Sequence, residues 1–213
     1  MPSKYASAAD EILVVQRKIE RLKDNGFISD SVFQKIILDY NMLSQKIAAL
    51  RTLKPDCKVV MTIGSFDIYH NGHGRYLEKA RACGTILVVG VDSDIAINRY
   101  KGLHRPIIPS DERIELLARQ MCVDFVTLID DVDKEGHWFF GLLKAIRPDV
   151  VVTVKDSYSE DQRKEIKKLG PQLVVLQRQA QNTSATRIIQ DIIKKNPELL
   201  EKIIPKISSK EEE

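Results

Sequence analysis

His70 and His73, separated by an asparagine and a glycine, stand in the stretch MTIGSFDIYHNGHGRYL that begins at Met61. Three positions apart on a forming helical turn, the two rings can point at one spot. Residues 58–63 ahead of them are an apolar run closed by Gly64 and read as a buried strand, whereas residues 74–82 read as a helix. The histidines therefore occupy a strand-to-helix turn, where free backbone N–H groups and the positive end of the helix dipole favour an anion. Gly64 and Gly72 leave room for a phosphate to approach the backbone. A phosphoryl group suits this spot better than a metal, because no Cys, Asp, Glu or third His lies at ligand spacing around the pair. The spaced glycines of a dinucleotide-binding turn are missing after Gly64, where Ser65 and Phe66 follow.

Two further stretches carry groups of the same chemical kind. Residues 85–91 read as a second continuous apolar strand, and Asp92, Ser93 and Asp94 stand at its carboxyl edge. The polar connection RYKGLHRPIIPSDER then brings Lys101, Arg105 and Arg113, cations placed where open α/β sheets bind ligands and able to clamp a phosphate. Ser110 or Asp111 is the expected cap of the next helix, which runs through Ile114, Leu116 and Leu117. Near the end, in QNTSATRIIQDII, the residues Thr183, Ser184 and Thr186 open a helix whose Ile188, Ile189, Ile192 and Ile193 are expected to face the core. Hydroxyl residues at a helix start are ordinarily caps, and nothing in this stretch alone demands more.

The elements that must position these groups are legible in outline. Further strands are expected at residues 125–129, 150–154 and 172–176, separated by helices near 138–146 and 159–169. Alternating strands and helices with short links imply an α/β fold, a right-handed doubly wound sheet of about five parallel strands. Trp138, Phe139 and Phe140 read as core packing. Residues 1–53 have a different pattern. Ile12, Val15, Ile19 and Leu22 recur at helical spacing, and a second series behind Asp30 as N-cap comprises Phe33, Ile36, Tyr40, Leu43, Ile47 and Leu50. This reads as an αα-hairpin whose apolar seam must be covered, by the following domain or by a second copy, with a homodimer contact favoured. Leu53, Lys54, Pro55 and Asp56 mark the boundary to a domain over residues 54–204, and residues 205–213 read as a charged, disordered tail.

Composition narrows the class. A hydrophobic content of 43% with 30% charge is that of an ordinary soluble globular protein. A net charge of +3 without a basic block argues against a nucleic-acid partner. Cys57, Cys83 and Cys122 show no paired spacing and read as reduced thiols of a cytoplasmic protein. No apolar run approaches membrane-spanning length, and MPSKYASAADE lacks a signal-peptide core, so no membrane partner is expected.

The stretch GSFDIYHNGH resembles the signature of the HIGH-type nucleotidyltransferases, most often G-T-F-D-x-x-H-x-G-H, with Ser65 keeping the hydroxyl of the usual Thr. That family's second signature, I-S-T-T or I-S-S-T before a basic residue, is similar to Thr183, Ser184, Ala185, Thr186 and Arg187. VDSDIAINRYKGLHRPIIPSDER resembles the N-S-D, K-G, R-P and E-R series of the sugar-phosphate and glycerol-phosphate branch. PDVVVTVKDSY resembles P-D-x-x-V-K-G-G-D-Y of heptose 1-phosphate adenylyltransferases, with Lys155 and Tyr158 aligned and the two glycines missing. The resemblance implies a Rossmann-like nucleotidyltransferase domain that moves a nucleoside monophosphate from a nucleoside triphosphate to a small phosphorylated acceptor.

The resemblance also distributes roles. His70, His73, Lys101 and Thr186 would be catalytic; Gly64, Ser65, Phe66, Asp67, Gly72, Lys155, Thr183, Ser184 and Arg187 would hold the nucleotide; Lys101, Arg105 and Arg113 would hold the acceptor. Magnesium would arrive on the triphosphate without direct protein ligands. ATP with a sugar phosphate such as heptose 1-phosphate is the first expectation, and CTP with a polyol or amino-alcohol phosphate such as glycerol 3-phosphate the second. A non-catalytic nucleotide-binding regulator and a scaffold built around the hairpin are the rivals from other classes.

Overall fold

The computed structural model of the chain describes residues 5, 7–129, 131–133, 138, 140–180 and 182–198. The expected tail, together with Phe139 and Gln181, lies outside them. Five short runs rich in Val, Ile and Leu form one all-parallel sheet from β1 (Val59–Gly64), β2 (Ile86–Asp92), β3 (Phe125–Ile129), β4 (Val150–Val154) and β5 (Gln172–Leu176). The first four are buried almost end to end, as unalternating apolar strands covered on both faces must be, whereas β5 is an open edge. The spatial order is β3-β2-β1-β4-β5. The winding direction reverses between β1 and β4, which places a crevice at their carboxyl ends.

In chain order the helices are α1 (Ala8–Asp24), α2 (Asp30–Phe33), α3 (Tyr40–Leu53), α4 (Asn71–Arg81), α5 (Asp94–Lys101), α6 (Ser110–Ala118), α7 (Gly141–Ile146), α8 (Glu160–Lys168) and α9 (Ala185–Lys195). Expected and observed bounds differ at several ends. Pro109, not Ser110 or Asp111, is the N-cap of α6, and its first turn takes no side-chain cap. The helix expected from residue 138 begins at Gly141, because Phe140 adopts a left-handed φ of 65° and turns the chain there.

The N-terminal segment departs most from expectation. Its second apolar series is two helices, not one: Ser29 caps α2, Asp39 caps α3, and between them the chain turns at Gln34 and Lys35 before passing along the sheet edge. Along the β3 edge, Val126 N–H donates to the Lys35 carbonyl at 2.8 Å and Ile37 N–H donates to the Val126 carbonyl at 3.0 Å. Ile36 and Leu38 pack into the core on one face of the sheet, and Ile37 into the core on the other. That is strand alternation, hidden in the sequence by a spacing that also fits a helix. The segment therefore straddles the sheet edge. Val15 and Ile19 of α1 join one core; Leu43 and Ile47 of α3 join the other, against Leu142, Leu143 and Ile146. The seam that called for a partner is covered by the chain's own sheet, whose β3 edge the segment also blunts.

This arrangement sets an expectation for stability. Leu43 is fully buried, so Leu43→Ala should cost about 2–5 kcal/mol in urea unfolding. Met42, one residue earlier and 64% exposed, should tolerate alanine within about 0.5 kcal/mol. Equal, small effects at both positions would mean that α3 is peripheral to folding.

Candidate functional site

The crevice holds a cavity of about 1030 Å³, and every chemically suggestive stretch of the sequence borders it. Its floor is the turn after β1. Phe66 and Ile68 both take a φ of 47°, a left-handed backbone that non-glycine residues adopt only where the surroundings hold it. Phe66 is buried, and its ring meets His73 edge-on at 5.5 Å. Gly72 has no space for a side chain: a Cβ would lie 2.7 Å from that of Ala180 and 2.9 Å from the His70 ring. The glycine lets α4 approach the chain leading to α9.

His70 is the N-cap of α4. Its Nδ1 accepts from Gly72 N–H at 3.1 Å, and the Nδ1 of His73 accepts from His70 N–H at 3.3 Å. The rings stack at 4.0 Å with an interplanar angle of 22°. With each Nδ1 serving as acceptor, hydrogen-bond logic assigns the proton of each neutral ring to Nε2. Burial lowers the pKa of His70; burial, then the charges of His70 and Lys101, push His73 down to about 4. At neutral pH the pair is thus two uncharged Nε2–H donors beside the N-terminus of α4.

The sign of the consequence follows from linkage. A His73 pKa depressed in the folded state leaves stability intact above about pH 6.5, and stability falls as the unfolded chain takes up the proton between there and pH 4. His73 should contribute a loss of about 2 kcal/mol between pH 7.5 and 5 in urea unfolding. The His73→Asn protein should lack that part of the slope, and parallel slopes in the two proteins would refute the assignment.

The cationic group divides into residues that face the cavity and residues that do not. Lys101 and Arg105 line it. Lys101 donates to the Ser65 hydroxyl at 2.8 Å, and its pKa is lowered, first by burial of the ammonium and against the pull of Asp92. Arg105 pairs with Asp67 at 2.8 Å, and its buried Nε has no partner. Arg113 is drawn inward instead. Its Nε donates to the Ile108 carbonyl at 2.9 Å, one terminal nitrogen to the Ser65 carbonyl at 2.6 Å and the other to Asp94 at 2.7 Å. Only 2% exposed, it holds the loop after β1 through Ser65 and does not line the cavity, where an acceptor-binding residue was expected to stand. Asp67 is similar: its carboxylate borders the cavity but also accepts from Ile107 N–H at 3.1 Å and Ile108 N–H at 2.9 Å, so it shapes the loop of Arg105.

Thr183, Ser184 and Thr186 also line the cavity. Ser184 is the N-cap of α9 and accepts from Arg187 N–H at 3.1 Å, so a second helix N-terminus opens on the same space. Arg187 and Lys155 do not border the cavity. The isoleucines of α9 also differ from expectation: Ile192 is 51% and Ile193 46% exposed.

Four residues without a role in the sequence reading stand here. Arg178, two residues past β5, pairs with Asp156 at 3.1 Å; its place after a strand's carboxyl end was the available signal. Asp92 ends β2 and accepts from the Tyr100 hydroxyl at 2.6 Å, and burial raises its pKa. Trp138 is core, as expected, yet also walls the cavity, stacking at 6.3 Å on Tyr158 and donating to Asp131 at 3.2 Å. Asp131 further accepts from Gly141 N–H at 2.6 Å and the Tyr40 hydroxyl at 3.1 Å, which ties this wall to α3.

The family model described as Cytidylyltransferase-like matches residues 61–209. The Bifunctional protein HldE of Helicobacter acinonychis is 40% identical over 128 residues, covering 58% of this chain and 27% of that protein. The HldE of Desulfatibacillum aliphaticivorans is 37% identical over 138 residues, covering 63% of this chain and again 27% of the relative. The chain therefore spans little more than a quarter of the length of these curated relatives. A solved structure, the lipopolysaccharide core biosynthesis protein from Thermoplasma volcanium, aligns with a TM-score of 0.48 at 28% identity, over 57% of this chain and 96% of that one.

Proposed function

The chain belongs to the cytidylyltransferase-like family, and from that premise and the geometry of the cavity we propose that it is a nucleotidyltransferase. A phosphate oxygen of a small acceptor attacks the α-phosphorus of a nucleoside triphosphate; the new P–O bond forms as the α–β bridging bond breaks, and pyrophosphate leaves in line. The observation that carries this reading is the pairing of two neutral Nε2–H donors with two helix N-termini around one cavity. A phosphate dianion is already a nucleophile, so catalysis reduces to positioning and to stabilising charge. His70 and His73 donate to the α-phosphate and the departing bridging oxygen. Gly64, Ser65 and Phe66 contribute the loop backbone, and the start of α9 with Thr183, Ser184 and Thr186 holds the pyrophosphate end. Lys101 neutralises charge between acceptor and α-phosphate, and Arg105 holds the acceptor.

Magnesium would arrive with the triphosphate and would supply neutralisation of phosphate charge. The carboxylates bordering the cavity suit that arrangement. Asp67 is engaged by Arg105, Asp92 by Tyr100 and Asp156 by Arg178, and no cluster of three candidate ligands exists among the described residues.

For the acceptor, a phosphorylated sugar such as heptose 1-phosphate with ATP is the preferred reading. It draws on the identity to HldE and on the presence of Tyr100, Trp138 and Tyr158 in the cavity lining, aromatic side chains of the kind that suit the C–H surface of a sugar. The family description supports a second reading, CTP with a polyol phosphate such as glycerol 3-phosphate. Both place the enzyme in the cytoplasm, where nucleoside triphosphates are made; among the described residues no helix is long and apolar enough to cross a membrane. With the N-terminal seam covered by its own sheet, the proposed catalytic unit is a single chain, not a homodimer. The test is pyrophosphate release with ATP and with CTP, across phosphorylated sugars, polyols and amino alcohols in the presence of magnesium. Release with one pair fixes activity and substrate class together. Folded protein that binds a nucleoside triphosphate but releases nothing with any pair would favour a regulator.

A further inference from the structure

Glu11 is a buried carboxyl group that the proposed reaction does not use. It lies on α1, is fully buried, and reaches across to α5: one carboxylate oxygen accepts from Asp94 N–H at 2.7 Å and the other from Ile95 N–H at 3.1 Å. Ser93 accepts from Ala96 N–H at 3.0 Å, so Glu11 and Ser93 together satisfy the first three amides of α5. An Asp, Asn or Ser at the N-cap ordinarily does this work from within its own helix. Here two of the three acceptors come from a helix more than eighty residues earlier in the chain.

The helix capped this way supplies the cationic wall of the cavity. Asp94 holds Arg113, which holds the Ser65 carbonyl; Asn98 donates to the Arg105 carbonyl; Tyr100 donates to Asp92; Lys101 donates to the Ser65 hydroxyl. Lys18, two turns along α1, pairs with Asp111 of α6 at 2.8 Å, so α1 grips both sides of the loop that bears Arg105. We propose that Glu11 is a positioning residue for nucleotidyl transfer to the acceptor: the N-terminal helix sets the placement of α5, and through it the Lys101 ammonium, by a carboxylate docked on the helix start. The kinetic side of this proposal rests on the nucleotidyl-transfer reading.

The isosteric change Glu11→Gln tests it. An amide offers one acceptor where two N–H groups point, and turns its own donor toward the second. Glu11→Gln should lower kcat/KM for the acceptor about tenfold and raise KM for the nucleoside triphosphate by a clearly smaller factor, because α5 reaches the nucleotide side only through the contacts of Lys101 and Arg113 with Ser65. On a Lys101→Ala background the same change should cost nothing further, whereas a merely structural role would cost the same on both backgrounds. Equal losses, or a parallel rise of both KM values, overturn the proposal. Amide hydrogen exchange provides a readout independent of the reaction. Residues 96–101 should exchange at least about tenfold faster in Glu11→Gln, with α4 and α9 unchanged. If the wild-type protein releases no pyrophosphate, the functional reading falls and exchange alone decides: acceleration confined to α5 supports the role of Glu11, and unchanged or uniformly faster exchange overturns it.

Discussion

Replacing His70 by alanine should lower pyrophosphate release at least about 100-fold, the lower end of what the loss of one preorganised donor to a transition state costs. The donor in question is Nε2–H, left free because Nδ1 accepts from Gly72 N–H. Alanine also removes an N-cap, which by itself destabilises by about 0.5–2 kcal/mol, so part of any loss could come from a frayed α4. His70→Asn separates the two effects. Asparagine is a good N-cap but does not extend to the position of Nε2, so this protein should melt like the wild type and still lose most of its turnover. The same comparison at His73 should show the larger structural effect, since its ring is wedged between Phe66, Tyr69 and His70. Turnover near the wild-type rate in His70→Asn would remove the histidine from the chemistry.

Arg113→Met should be the most destabilising single change among the residues that brace the loop after β1, at about 3–5 kcal/mol in urea unfolding, because it strands the largely buried Asp94 carboxylate without its cation. It also removes the donors to the Ser65 and Ile108 carbonyls. A second change, Asp94→Asn, should recover part of the loss, since the stranded charge then disappears. An acceptor-binding arginine would behave in the opposite way, with stability kept and only the acceptor KM raised. That outcome would restore the role expected for Arg113 from sequence.

The N-terminal segment changes what a deletion can reveal. Removing residues up to 51 would be a clean separation of scaffold from enzyme if they formed a free-standing hairpin. They instead supply Val15 and Ile19 to one core, Leu43 and Ile47 to the other, a backbone bridge to Val126 and the cap of α5. The truncated chain would expose both sheet faces near β3 and an unsatisfied helix start, and should not fold.

Local chemistry wrote the sheet and the phosphate loop into the sequence. Five apolar runs of strand length, each bounded by polar or turn residues, allow few arrangements once helices alternate with them. A glycine-bounded turn carrying His70 and His73 before a helix can present its amides and rings in only one direction. The hydroxyls at the start of α9 belong to the same class, since capping acts within a few residues.

Tertiary structure alone decided which charges stay available to a ligand. Lys101, Arg105 and Arg113 look alike in the chain, yet Arg113 is consumed by Ser65, Ile108 and Asp94 while Lys101 faces the cavity. It decided too that residues 36–38 lie along the sheet edge through a bridge to Val126, because a spacing compatible with two periods is resolved only by what each side chain packs against. The physical reason is common to both: saturation of a hydrogen-bonding group, like burial of an apolar one, depends on partners forty or ninety residues away, which the local pattern does not contain.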